Sequence, residues 1–220
     1  MVKRTNSLWS LIQTLWIWFW GIGITIVVLF FCMICALLRQ PRWIHKIAFL
    51  WGKSITFFCR TDIQVEGKEK IYRDGPVIFV LNHQSLFDIL IIYNFLDVQF
   101  RWMAKASLFK IPVFGHAMKA ADYIPVERGD RKLALKSLFD AAEHVRQGTS
   151  VVIFPEGTRG HPDGSMLPFK KGGFILAKKA QVTIQPITLW GANQIVPVDR
   201  TRTIQRIYPG VARAVIHDPI

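Results

Sequence analysis

The sequence predicts an α/β fold: a central mixed, mostly parallel sheet flanked by helices, with an N-terminal membrane-associated helical motif. Three observations predict it. Residues 5–38 carry no charged side chain, a run of 34. Beyond residue 62, short apolar runs bounded by turn residues alternate with longer helical stretches, the pattern of strands separated by helices. Hydrophobic residues make up 51% and charged residues 20% of the 220, which suits a packed core and excludes a disordered chain. The predicted organisation is a membrane-anchoring helical segment, 1–60, followed by an α/β domain, 61–220.

The uncharged run comes first. A bilayer core needs about 20 apolar residues, so the run is long enough to span or insert. Trp9, Trp16, Trp18 and Trp20 gather in its first half, as expected near a headgroup region. Gly21 and Gly23 are candidate bend points. Arg39-Gln40-Pro41-Arg42 ends the run, and Pro41 marks a helix boundary. Trp43, Ile44, Ile47, Trp51, Ile55 and Phe58 then recur at helical spacing, while Arg42, His45, Lys46 and Lys53 fall at other positions. This predicts an amphipathic helix with a basic polar face, suited to an anionic leaflet or to packing against the domain. Positive charge is denser after the uncharged run than before it. By the positive-inside rule the α/β domain faces the cytoplasm. One spanning helix and a two-helix motif dipping into one leaflet both fit.

Residues 77–81 follow Gly75-Pro76 and form a predicted buried strand. Residues 88–95 are a predicted helix. Strands are expected at 100–103 and 123–126. Residues 131–147 predict a helix with Leu135, Leu138, Phe139, Ala142 and Val145 on one face, ended by Gly148. A strand at 150–154, a helix at 173–180 and strands at 182–189 and 212–216 complete the domain.

Charge and cysteine usage narrow the function. There are 28 Lys+Arg against 15 Asp+Glu, a net charge of +13, which favours an anionic partner: anionic lipid, nucleic acid or a phosphorylated substrate. Cys32, Cys35 and Cys59 are too few for a disulfide framework. The Cys32-x-x-Cys35 pair lies in an apolar run without a second pair and is expected to be small buried side chains.

Two segments carry chemistry. Asn82-His83-Gln84-Ser85-Leu86-Phe87-Asp88 begins where a buried strand ends, where α/β sheets usually present functional groups. His83 can take and give a proton near neutral pH. Asp88, five residues on, can curl back to one imidazole nitrogen and leave the other free as a base. No serine or cysteine nucleophile stands in a recognisable elbow, which suits direct attack by a substrate hydroxyl. On spacing alone, the ordinary reading, a strand-end histidine and a helix-capping aspartate, is favoured. Phe154-Pro155-Glu156-Gly157-Thr158-Arg159 also follows a strand. Gly157 permits a tight turn, Thr158 offers a hydroxyl, and Arg159 a planar fork for phosphate. Glu156 can orient Arg159 or a substrate hydroxyl. An ordinary turn with a surface ion pair is the alternative. Arg128 and Lys105, each at or near a strand end, are further candidate phosphate ligands. Lys170 and Lys171 precede a helix and can also meet an anion. Pro186 inside a strand predicts an edge or an irregularity. No metal-ligand cluster, nucleotide loop or other cofactor motif is visible.

Taken together, the His-x4-Asp and the Phe-Pro-Glu-Gly-Thr-Arg about 70 residues later resemble the glycerolipid acyltransferase family. Four blocks occur in order over 75–197: 82–88, 123–128 with Arg128 at the family's arginine, 154–159, and 182–187 with Pro186 at its proline. Gln185 stands where many relatives carry valine. The resemblance implies an enzyme of the lysophosphatidate-acylating type. It implies transfer of a fatty acyl group from acyl-CoA or acyl carrier protein to the sn-2 hydroxyl of 1-acylglycerol 3-phosphate, forming phosphatidate. It implies that His83 is the general base, Asp88 its partner, and Arg128, Glu156, Gly157, Thr158 and Arg159 part of the acceptor site, with Lys105 as a further phosphate-binding lysine. No cofactor or metal is implied. The expected partners are lysophosphatidate or a related lysophospholipid, the acyl donor and membrane lipids, not nucleic acid. Another lysophospholipid or glycerol 3-phosphate remains an alternative acceptor. A non-enzymatic basic protein binding lipid or nucleic acid leaves the His83–Asp88 pair unexplained.

Overall fold

Val77–Leu81 (β2) is five consecutive apolar residues, all buried. A strand apolar on both faces belongs in the middle of a sheet covered on both sides. In the computed structural model, which describes residues 8–127, 131–199 and 205–220, that is where β2 lies. The other strands are β1 (Thr61–Glu66), β3 (Phe100–Lys105), β4 (Ile124–Val126), β5 (Ser150–Ile153), β6 (Thr183–Trp190) and β7 (Gly210–Ile216). Among the described residues they form one sheet in the order β1-β7-β6-β2-β5-β3-β4. Every pairing is parallel except β6 with β7.

The helices are α1 (Leu8–Leu37), α2 (Pro41–Phe58), α3 (Asp88–Phe95), α4 (Phe114–Ala120), α5 (Arg131–Arg146), α6 (Gly172–Ala180) and the short α7 (Ala192–Ile195). Alternation along β2 divides the core. Val77, Phe79 and Leu81 pack with Ile91, Ile92 and Phe95 of α3 and with Ala48 and Phe49 of α2. Ile78 and Val80 face the other way, onto Ala141, Ala142 and Val145 of α5 and Leu176 and Ala177 of α6. Fully burying a side chain of this size contributes about 1.5–3 kcal/mol. Gly148, at φ +94°, ends α5 as expected.

β6 is an interior strand, so Pro186 does not mark an edge. It sits where the antiparallel ladder to β7 runs out. The Pro186 carbonyl accepts from His217 N–H (3.1 Å), but proline has no N–H to return. The buried Gln185 side chain supplies that donor: its Nε2 bonds the His217 carbonyl (3.1 Å) and the Lys70 carbonyl (2.6 Å), and its Oε1 accepts from Tyr72 N–H (2.9 Å). Glutamine at this position therefore compensates the proline beside it.

α1 contains Leu11–Leu37, long and apolar enough to cross a membrane. It runs through Gly21 and Gly23 without interruption. Phe19, Ile26 and Phe30 on it are all more than 60% exposed. Arg39, at φ 51°, turns the chain, and α2 returns along α1. Trp20 stacks on Phe58 (5.2 Å between centroids) and Trp51 Nε1 donates to Thr25 Oγ1 (2.9 Å). α2 differs from a helix with one apolar and one basic face. Ile44, His45, Gly52 and Thr56 are buried. On the opposite side Trp43, Lys46, Leu50, Lys53, Phe57 and Arg60 form one exposed stripe, apolar and basic in alternation. Ala48, Phe49, Trp51 and Ile55 of α2 pack against the core of the sheet.

Candidate active site

β2 and β5 are adjacent and parallel, with Val80 opposite Ile153. The segments leaving them, 82–88 and 154–159, therefore emerge side by side at one edge of the sheet. β3 pairs with β5 and carries Lys105 to the same edge, where it is exposed opposite Val126 of β4. Arg128, two residues past β4, lies outside the described residues.

The turn after β2 is built by its own polar side chains. Asn82 continues the ladder to β6: its Nδ2 donates to the Leu189 carbonyl (2.9 Å) and its Oδ1 accepts from Leu189 N–H (2.7 Å). Ser85 Oγ donates to the Val196 carbonyl (2.7 Å) and accepts from Phe87 N–H (3.2 Å). Asp88 Oδ2 accepts from His83 Nδ1 (2.7 Å) and from the amides of Gln84 (2.7 Å) and Ser85 (2.8 Å). The two roles left open by spacing are thus combined, since one carboxylate oxygen closes the turn and orients the histidine. Complete burial pushes the Asp88 carboxyl above its usual value, and these three donors oppose that push. A carboxylate can only accept, so Nδ1 carries the proton and Nε2 presents its lone pair. The His83 side chain is 12% exposed.

The second segment supports the first. The Phe154 ring stacks on the imidazole of His83, with centroids 4.0 Å apart and planes inclined by 13°. Phe154 stacks in turn on Trp102 (5.8 Å). Trp102 Nε1 donates to Tyr93 OH (2.7 Å), Tyr93 OH meets Tyr123 OH (2.8 Å), and Tyr123 OH lies 3.3 Å from His45 Nδ1 on α2. Burial pushes the His45 imidazole down to about 3, so it is neutral.

Glu156 differs from its expected role. It is 2% exposed. Its Oε1 accepts from His83 N–H (2.7 Å) and its Oε2 from Leu167 N–H (2.8 Å). Both oxygens are engaged by backbone, so the carboxylate joins two loops and does not reach Arg159. Gly160 N–H adds a bond to the His83 carbonyl (2.8 Å). Gly157 turns at φ +73°, as a glycine there permits. Thr158 is exposed and Arg159 half-buried. Neither is ion-paired or hydrogen-bonded through its side chain to another of the described residues.

One feature has no signal in any single motif. A largely apolar cavity of about 440 Å³ lies between α1, α2 and the start of α3. Its lining includes Ile17, Gly21 and Ile22 from α1, Ile55 from α2, and Leu86 and Leu90. Leu86 lies between His83 and Asp88, so the cavity borders the histidine's own turn. The cavity needs residues from four separate segments, Val196 and Ile207 supplying the fourth, which only the fold assembles. Phe154 belongs to a sequence motif, but its contact with His83 depends on strand register.

Residues 62–190 match the acyltransferase family. A chloroplastic 1-acyl-sn-glycerol-3-phosphate acyltransferase of Brassica napus is 39% identical over 183 residues, covering 82% of this chain and 51% of the relative. A 1-acyl-sn-glycerol-3-phosphate acyltransferase of Helicobacter pylori is 40% identical over 139 residues, 63% of this chain and 58% of that one. The chain thus spans about half the length of the curated relatives it matches. The crystal structure of the 1-acyl-sn-glycerophosphate acyltransferase PlsC from Thermotoga maritima superposes with a TM-score of 0.79 at 28% identity, over 98% of this chain and 88% of that one.

Proposed function

The chain belongs to the acyltransferase family, and from that premise we propose that it acylates the sn-2 hydroxyl of 1-acylglycerol 3-phosphate at a membrane surface, forming phosphatidate. The observation that carries the reading is the His83–Asp88 pair: a 2.7 Å bond to a buried carboxylate fixes the imidazole, leaving Nε2 for a substrate proton. Among the described residues no serine or cysteine side chain is bonded to His83, which supports direct attack by the acceptor.

In this reading Nε2 of His83 removes the hydroxyl proton as the oxygen attacks the thioester carbonyl of acyl-CoA or acyl carrier protein. Asp88 stabilises the imidazolium that forms. The tetrahedral intermediate collapses, the C–S bond breaks, and the thiolate leaves with the proton returned by His83. Acid–base catalysis of this kind contributes roughly 10²–10⁴ in rate. Arg159, with Arg128 and Lys105, binds the acceptor phosphate and orients the hydroxyl. The apolar cavity beside Leu86 suits a hydrocarbon chain, and its volume is in the range of ligand sites.

The N-terminal helices give the reaction its location. The exposed apolar surface of α1 inserts in the bilayer, and the stripe from Trp43 to Arg60 lies on an anionic leaflet, with the site on the cytoplasmic side. Acyl transfer from acyl-CoA and from acyl carrier protein to a panel of lysophosphatidate, other lysophospholipids and glycerol 3-phosphate tests the reading. Phosphatidate as the main product supports it. Preference for a different acceptor replaces it.

A further inference from the structure

The loop 161–171 is tied to the candidate site from both ends. Gly160 N–H bonds the His83 carbonyl (2.8 Å), Leu167 N–H bonds Glu156 Oε2 (2.8 Å), and Lys170 N–H bonds the Pro155 carbonyl (2.8 Å). The Lys170 side chain then lies across the backbone of Gly157. A Cβ on Gly157 would come within 2.9 Å of Lys170 Nζ and 3.2 Å of its Cδ and Cε. Glycine at 157 therefore does two things: it permits the turn, and it leaves room for the lysine.

Among the described residues, no carboxylate oxygen pairs with Lys170 Nζ within 4.0 Å. Glu156, next to Gly157, has both oxygens engaged by amides. Holding a long side chain against a turn costs conformational entropy that no ion pair among the described residues offsets. Thr158 and Arg159 follow Gly157 directly, so the ammonium stands beside the guanidinium's segment.

We propose that Lys170 is a phosphate ligand of the acceptor site, selecting a phosphomonoester headgroup. This rests on the lysophospholipid reading above. A phosphomonoester has three terminal oxygens. The guanidinium fork of Arg159 takes two of them, and the ammonium, a compact point charge, takes the third.

The test uses the full chain in detergent micelles, with 1-oleoyl-lysophosphatidate and 1-oleoylglycerol as probes. Lys170→Met keeps a chain of similar length over Gly157 and removes the charge. Lys170→Arg keeps the charge. Lys170→Met is expected to weaken lysophosphatidate binding and raise its KM about 10- to 100-fold, the range of a charge-assisted hydrogen bond. Binding of oleoylglycerol stays near wild type, and Lys170→Arg recovers most of the loss. Unchanged lysophosphatidate binding in Lys170→Met, or equal loss on both probes, overturns the proposal. If wild type makes phosphatidate and Lys170→Met leaves the KM unchanged, the lysine is dismissed and the reaction stands. If binding depends on Lys170 and no acyl group is transferred, the reaction is dismissed and the lysine stands. A wild type that binds neither probe overturns both.

Discussion

The imidazole of His83 lies flat against the ring of Phe154, 4.0 Å between centroids. Nδ1 is held in the ring plane by Asp88, and Phe154 covers one ring face. Together they fix the ring orientation that a general base needs. The Asp88 contact lies within one turn, but the Phe154 contact does not follow from sequence distance, since the two rings are brought together by the parallel pairing of β2 with β5.

Phe154 acts as a positioning residue. Phe154→Leu keeps an apolar side chain and removes the flat contact. kcat is expected to fall about 5-fold, a loss of roughly 1 kcal/mol as for one aromatic pair. KM for the acceptor should hold, and Phe154→Tyr should restore kcat. Steady-state kinetics of both variants decide it, and a loss confined to KM would refute the role.

Glu156 joins the His83 turn to the loop carrying Lys170. Glu156→Gln sets an NH₂ group against one of the two backbone amides the carboxylate now accepts. The buried N–H left without an acceptor costs about 1–3 kcal/mol. The thermal unfolding midpoint should drop together with kcat. A variant with lowered activity and an unchanged midpoint would instead make Glu156 a direct participant.

Much of this was legible beforehand because it is local. β2 is an uninterrupted apolar run, the α5 face repeats at helical spacing, and the turns after β2 and β5 carry their polar groups within seven residues of the strand ends. What was hidden depends on distant partners. β1 has the pattern of a half-exposed edge strand, with Asp62, Gln64 and Glu66 on alternate positions, and needs β7 to be seen as a strand. α4 and α7 are too short for a periodic signal. The exposed stripe of α2 mixes Trp43, Leu50 and Phe57 with cations, so its apolar series points two ways. Glu156 could not be recognised as a clamp, because its acceptors serve His83 and Leu167, 73 and 11 residues away.

The apolar cavity can be narrowed without disturbing the helix. A Cβ on Gly21 would meet nothing within 4 Å, and Gly21 lines the cavity. Gly21→Leu also improves helix propensity by about 0.5–1 kcal/mol, so unfolding does not explain a loss. Transfer of long acyl chains should fall relative to short ones in a competition assay with mixed acyl-CoA. An unchanged chain-length profile would separate the cavity from the acyl group.

His45 ties α2 to the core as a neutral, buried imidazole. Its folded value is about 3 against 6.5 ordinarily. Between those values the unfolded chain binds a proton that the folded chain does not. Stability from this group is therefore present above pH 6.5 and is lost as the pH falls towards 3. Acidification from pH 7 to 5 should cost about 2 kcal/mol through His45. In detergent, His45→Gln should show a correspondingly shallower pH dependence of its unfolding midpoint. Identical slopes for the two proteins would contradict the assignment.

The most direct measurement is transfer of a labelled acyl group to lysophosphatidate by the membrane-bound wild type and by His83→Ala, offered acyl-CoA and acyl carrier protein separately. Phosphatidate from the wild type is expected, with a rate lower by roughly 10²–10⁴ in the variant. Equal rates from the two proteins would remove His83 from the chemistry and with it the mechanism built on the His83–Asp88 pair.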